Sequence, residues 1–165
     1  LQDRSNLSNI RRGEYEKLRM MIGTDPMHTP DFGPSHLGPA GASAIGARDV
    51  LIAFNIFLDS ADVQIAKQIA KKVRESSGGL PYVKALGMFV DNKAQVSMNL
   101  TNYRQTPIQI VFNRVKELAD GYGVSLHHSE LVGCLPQAAL DGINPKEILL
   151  HEFNADRILE NYFSD

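Results

Sequence analysis

The sequence offers little that would cross-link it, anchor it or pull it toward a polyanion. Its 165 residues include one cysteine, Cys134. No intramolecular disulfide can form, and no cysteine cage for a metal exists. No charged residue adjoins Cys134, so it reads as a small apolar side chain rather than an activated thiol. No apolar run approaches the roughly 20 residues that span a bilayer, and no signal-peptide pattern opens the chain. These absences point to a cytoplasmic protein without a membrane partner. Charge of one sign is missing too. Seventeen Lys and Arg against 19 Asp and Glu leave a net charge of −2, which gives no bulk attraction to nucleic acid. There is no Walker loop, no nucleophile elbow and no dinucleotide fingerprint. None of the five histidines belongs to a metal-ligand spacing, so no metal is expected. The start at Leu1 rather than Met reads as a fragment or a processed product.

What is present is ordinary in bulk. The chain is 43% apolar and 22% charged, as expected of a globular protein with room for one packed domain and an appendage. The unusual stretch is Pro30–Arg48, with four glycines and three prolines in nineteen residues. Proline fixes φ and removes donors, while glycine opens conformations other residues avoid, so no regular element can form there. Composition alone favours a plain linker. The other reading is a ligand loop, whose backbone amides can approach a flat or anionic group closely.

Apolar periodicity divides the chain into three parts: a helix within residues 1–23, the Gly/Pro loop at 24–48, and a domain over 49–165. The first helix, about Ile10–Ile22 with Ser8 or Asn9 as cap, carries a sticky face at Ile10, Tyr15, Leu18, Met21 and Ile22. An apolar face of this kind needs a partner. Beyond the loop the spacing predicts a strand over 51–58 and a helix over 61–75 capped by Asp59-Ser60. A hairpin of strands over 82–90 and 93–102 turns at Asp91-Asn92. A helix follows over 107–122, with Thr106 as cap and Pro107 at the first position. A strand over 124–133 and two helices over 136–143 and 145–163 complete the chain. The order β-α-β-β-α-β predicts an α+β, ferredoxin-like sandwich with flanking helices: an antiparallel four-stranded sheet, two helices on one face and the other face free.

Strand parity says what the free face carries. Ala94, Val96, Met98 and Leu100 belong under the helices, leaving Gln95, Ser97, Asn99 and Thr101 outside. Asn55 of the first strand and Asn99 of the third are expected to share that face. Mid-sheet amides are costly unless wet or hydrogen-bonded. The face is therefore either solvated or the polar wall of a ligand cavity, and the small-residue loop entering the first strand favours the cavity. Alternation sends His127 and His128 to opposite faces. His36, in the loop, is the histidine nearest a ligand.

Six separate strings, in order, resemble the formiminotransferase domain: Ile10–Glu16 (IRRGEYE), Pro30–Ser35 (PDFGPS), Gly46–Arg48 (GAR), Leu51–Ile56 (LIAFNI), Ala94–Leu100 (AQVSMNL) and Ser129–Gly133 (SELVG). The resemblance implies two ferredoxin-like subdomains with a tetrahydrofolate site between them. It implies transfer of a formimidoyl group from N-formimidoyl-L-glutamate to tetrahydrofolate, late in histidine breakdown, with no metal. On that likeness the chain is the second subdomain preceded by the last helix of an N-terminal one, and homodimers are expected. The family's folate-contacting loop falls on Gly33, Pro34, Ser35, His36, Leu37, Gly38, Pro39, Ala40 and Gly41. Arg48, Asn55 and Asn99 are weaker candidates for the cavity wall. The family's catalytic histidine sits in a His-Pro-Arg context that this sequence lacks. No catalytic residue is therefore assigned, and the chain alone is expected to be inactive. His128 stands where the family leads one to expect a small residue. The alternative is a non-catalytic ferredoxin-like ligand-binding module. Single-stranded RNA on the sheet face is disfavoured, because that face lacks aromatic stacking residues and a basic surround.

Overall fold

A computed structural model of the chain describes Arg4 and residues 6–163. Two compact units are found, one running to Ala47 and one beginning at Arg48.

In the first unit the expected single helix is two. Helix α1 is Leu7–Ile10, with the Asn6 side chain accepting from the Ser8 amide. Helix α2 is Glu14–Met21. Between them Gly13 adopts φ +85° and Glu14 φ +53°, left-handed values that a continuous helix cannot contain. No residue of α2 is buried within the chain. A short 3₁₀ turn, Pro26–His28, is capped by Asp25. The Arg4 guanidinium ties the start of the loop together, donating to Asp31 at 2.8 Å and to the Thr29 carbonyl at 2.6 Å. From there to Ala47 no helix or strand forms.

The second unit contains β1 (Ile52–Leu58), α3 (Val63–Val73), β2 (Val83–Val90), β3 (Lys93–Leu100), α4 (Ile108–Gly121) and β4 (Leu126–Val132). The strand order is β2-β3-β1-β4 and every pair is antiparallel. This is the α+β ferredoxin-like arrangement that the element order predicts. Ile52, Phe54, Ile56 and Leu58 of β1 and Ala94, Val96, Met98 and Leu100 of β3 form one buried side with Ile69 and Val73 of α3 and Val111 and Val115 of α4. Gly87 lets α3 lie directly on β2, since a Cβ there would stand 2.3 Å from the Lys67 nitrogen. The β2–β3 turn uses Asp91 and Asn92 at φ +48° and +61°, the pattern of a two-residue hairpin.

Three local expectations are overturned. Helix α3 is capped by Asp62 rather than by Asp59 or Ser60. Thr106 does not cap α4. Its hydroxyl donates to the Pro81 carbonyl at 2.6 Å, and Pro107 takes the cap position without a side-chain bond. The two C-terminal helices are four 3₁₀ turns, Gln137–Leu140, Pro145–Ile148, Ala155–Arg157 and Leu159–Tyr162. Asn144 and Asn154 each bond the amide two residues on, which restarts the turn and prevents a continuous helix. This segment is tied back by the Leu135 amide to Arg157 and the Leu159 amide to Leu135. Among the described residues no helix is long and apolar enough to cross a membrane.

Candidate functional site

In the second unit, the sheet face away from α3 and α4 is built in cross-strand rows that the register fixes. One row runs Leu86–Ser97–Asn55–Glu130 and the next runs Met88–Gln95–Phe57–His128. Ala53 and Asn99 are partners in a third row. Asn55 and Asn99 do share this face, but in different settings. Asn55 is 8% exposed, and its Nδ2 donates to the Glu130 carboxylate at 3.0 Å. Asn99 is exposed. Glu130 is a functional candidate that reading the sequence missed. It sits within the SELVG string, and alternation with Ser129 and Leu131 is the signal that could have put it on the open face. Gln95 is 4% exposed. The row ends differ in kind, with exposed Leu86 and Met88 on β2 and Glu130 and His128 on β4.

The two histidines do not point apart. Phe57 pairs with His128 while Leu58 pairs with Leu126, so His127 is the extra residue of a bulge. The Nδ1 atoms of His127 and His128 come within 2.6 Å of each other. His128 also stacks on Phe57, with ring centroids 4.2 Å apart and planes 11° from parallel. Burial pushes the His128 imidazole below its ordinary pKa and the His127 ring adds to this, while Glu130 and Glu152 pull the other way. Beside the pair lies a cleft of about 390 Å³ lined by His127, His128, Glu130, His151, Glu152 and Arg157, among others. Among the described residues, no group of three or more His, Cys, Asp or Glu is placed to hold a metal ion.

The candidate loop belongs to the first unit. Gly33 and Gly41 take φ +90° and +77°, conformations that suit glycine. Pro34, Ser35, His36, Pro39 and Ala40 are exposed, and Leu37, Gly38 and Gly41 are half-buried. The Gly38 carbonyl accepts from the Gly41 amide at 3.0 Å and from the Tyr15 hydroxyl at 3.4 Å. A Cβ on Gly23 would lie 2.7 Å from the Ser35 carbonyl, so that glycine lets the loop backbone settle against its own start. Among the described residues, the Ser35 hydroxyl and the His36 ring make no hydrogen bond. Arg48 is exposed and forms no ion pair among the described residues. In the same unit His28 meets Asp25 at 2.9 Å. The Met27 amide, then His28, hold the Asp25 carboxyl below its ordinary pKa.

Comparison with known proteins decides the family. The formiminotransferase domain pattern matches residues 53–144, and the pattern of that domain's N-terminal subdomain matches residues 1–48. The chain belongs to the formiminotransferase domain family. The N-terminal pattern extends through the Gly/Pro loop, and so is not confined to the helix before it. Glutamate formimidoyltransferase of Thermoplasma acidophilum is 45% identical over 162 residues, covering 96% of this chain and 53% of the relative. Glutamate formimidoyltransferase of Streptococcus pyogenes is 36% identical over 164 residues, covering 97% and 54%. Formimidoyltransferase-cyclodeaminase of Dictyostelium discoideum is 41% identical over 146 residues, covering 83% and 27%. The chain thus spans about half the length of these two glutamate formimidoyltransferases.

Proposed function

We propose that this chain is the folate-binding part of a glutamate formimidoyltransferase, which moves a formimidoyl group from N-formimidoyl-L-glutamate to tetrahydrofolate in histidine degradation. The observation that carries the reading is the 45% identity sustained over 96% of the chain with a protein of that name. The proposed reaction joins a folate ring nitrogen to the amidine carbon through a tetrahedral intermediate, and the glutamate nitrogen leaves with a proton. Catalysis then depends on placing two substrates and managing one proton. The Gly33–Gly41 loop supplies backbone amides, Arg48 a guanidinium suited to a carboxylate, and Asn55 and Asn99 side-chain amides. The proton-handling group comes from an N-terminal subdomain, the chain's first partner in this reading. Homodimer formation and a cytoplasmic setting belong to the same proposal.

The test is formimidoyl transfer to tetrahydrofolate by this chain alone, then after adding a first subdomain produced from a relative. Silence alone and activity on mixing is the expected result. Activity of the chain alone would mean that the proton-handling group lies within these residues. Silence in both, with association of the two pieces demonstrated, would leave a non-catalytic binding module.

A further inference from the structure

Gln95 is the most unusual polar residue of the open sheet face. It sits mid-strand on β3, between Met88 and Phe57 in register, and is 4% exposed. Its neighbour in the next row, Asn55, is matched to Glu130. The Gln95 carboxamide has no hydrogen-bond partner among the described residues. Yet its oxygen and nitrogen are not sealed from solvent, since the Arg4 Nε is the only fully enclosed, unpartnered side-chain polar atom among the described residues. Little of the residue is exposed, yet its donor and acceptor are left to solvent or to a ligand rather than to a neighbouring side chain.

The surroundings say what would satisfy it. A carboxamide offers a donor and an acceptor side by side in one plane. On the β2 side lie Leu86, 63% exposed, and Met88, 44% exposed, an apolar bed for a flat ring. On the β1 side its partner in register is Phe57, which stacks on His128, and the next row turns polar through Ser97, Asn55 and Glu130. From these positions we infer that Gln95 is a ligand-binding residue. Its carboxamide takes the in-plane N–H and C=O edge of a flat heteroaromatic ring lying over Leu86 and Met88. This rests on the folate reading above and deepens it, because the lactam edge of a reduced pterin is such an edge. Gln95 then orients the ring whose nitrogen receives the transferred group.

The test uses the ¹⁵N-labelled 165-residue chain, titrated with 5-formyltetrahydrofolate as a stable reduced folate. The variants Gln95→Met, which keeps length and volume, and Gln95→Glu, which removes the donor, are compared with it. In the unaltered chain the Gln95 side-chain NH₂ signals are expected to shift and saturate. Both variants are expected to bind at least fivefold more weakly, and Gln95→Met is expected to keep or raise its melting temperature. A merely structural glutamine would do the reverse, with lost thermal stability and unchanged affinity, and that result overturns the inference. It is equally overturned if other signals saturate while those of Gln95 stay put, or if affinity falls less than fivefold; the folate reading survives in both cases. If no signal moves at millimolar ligand, with the chain alone and again after a first subdomain from a relative has been added, the inference and the folate reading fall together.

Discussion

The Asn55–Glu130 bond can be measured directly, because its partners lie on different strands, 75 positions apart in sequence. The perturbation is a double-mutant cycle of Asn55→Ala, Glu130→Ala and the pair. A hydrogen bond to a charged group contributes about 1.5–3 kcal/mol when well buried. Asn55 is buried but Glu130 is exposed, and an exposed carboxylate regains water when its partner is removed. Exposed charge interactions measure about 0.2–1 kcal/mol. One buried and one open partner place the coupling between these ranges, at about 1 kcal/mol. For a domain of this size the coupling corresponds to a few degrees in melting temperature. The assay is urea unfolding of the four proteins, with equal m-values as the check that the unfolded states are comparable. Single effects that add to within about 0.3 kcal/mol, the usual behaviour of independent sites, would refute the bond between Asn55 and Glu130.

Gly87→Ala places a Cβ 2.3 Å from the Lys67 nitrogen and 2.5 Å from its Cα. These are backbone atoms that cannot swing aside, so stability should fall by about 2–3 kcal/mol, the upper part of the overpacking range. An unchanged urea midpoint would show that α3 does not sit on β2 as described. For His128, burial disfavours the charged ring, so the unfolded chain binds the proton more readily than the folded one. This contribution to stability is complete above the ordinary histidine value of about 6.5 and is lost as pH falls below it toward the lowered folded value. Between pH 7.5 and 5.5 the chain should therefore lose more stability than His128→Gln. Equal losses in urea midpoint would refute that.

The sheet was legible because its signals are repeated. Alternation in β3, helical spacing in α3 and α4, and Asp91-Asn92 between two strands all agree on one topology. Local chemistry was less legible where a side chain had a choice of partner. Thr106 has the sequence context of a cap, but the fold offers its hydroxyl the Pro81 carbonyl, 25 positions away. Residues 145–163 have helical composition, yet Asn144 and Asn154 each capture a nearby amide and restart the chain. On the site face, parity located Asn55 and Asn99 but could not weigh them, since only the tertiary structure matches one with Glu130. The histidine pair was misread because alternation assumes one residue per step, and β4 inserts one more at His127.

The two margins of the sheet differ in a way that sets a direction for growth. On β4 the Ser129 amide already donates to the Leu149 carbonyl, and the bulge at His127 disturbs the ladder beside it. On β2, among the described residues, no strand pairs on the side away from β3, and Leu86, Met88 and Phe89 stand exposed. A strand from outside therefore finds a template on one margin and an obstacle on the other. The same asymmetry makes β2 the margin to protect when the chain is concentrated, and the natural place for a lysine or a proline meant to keep copies apart.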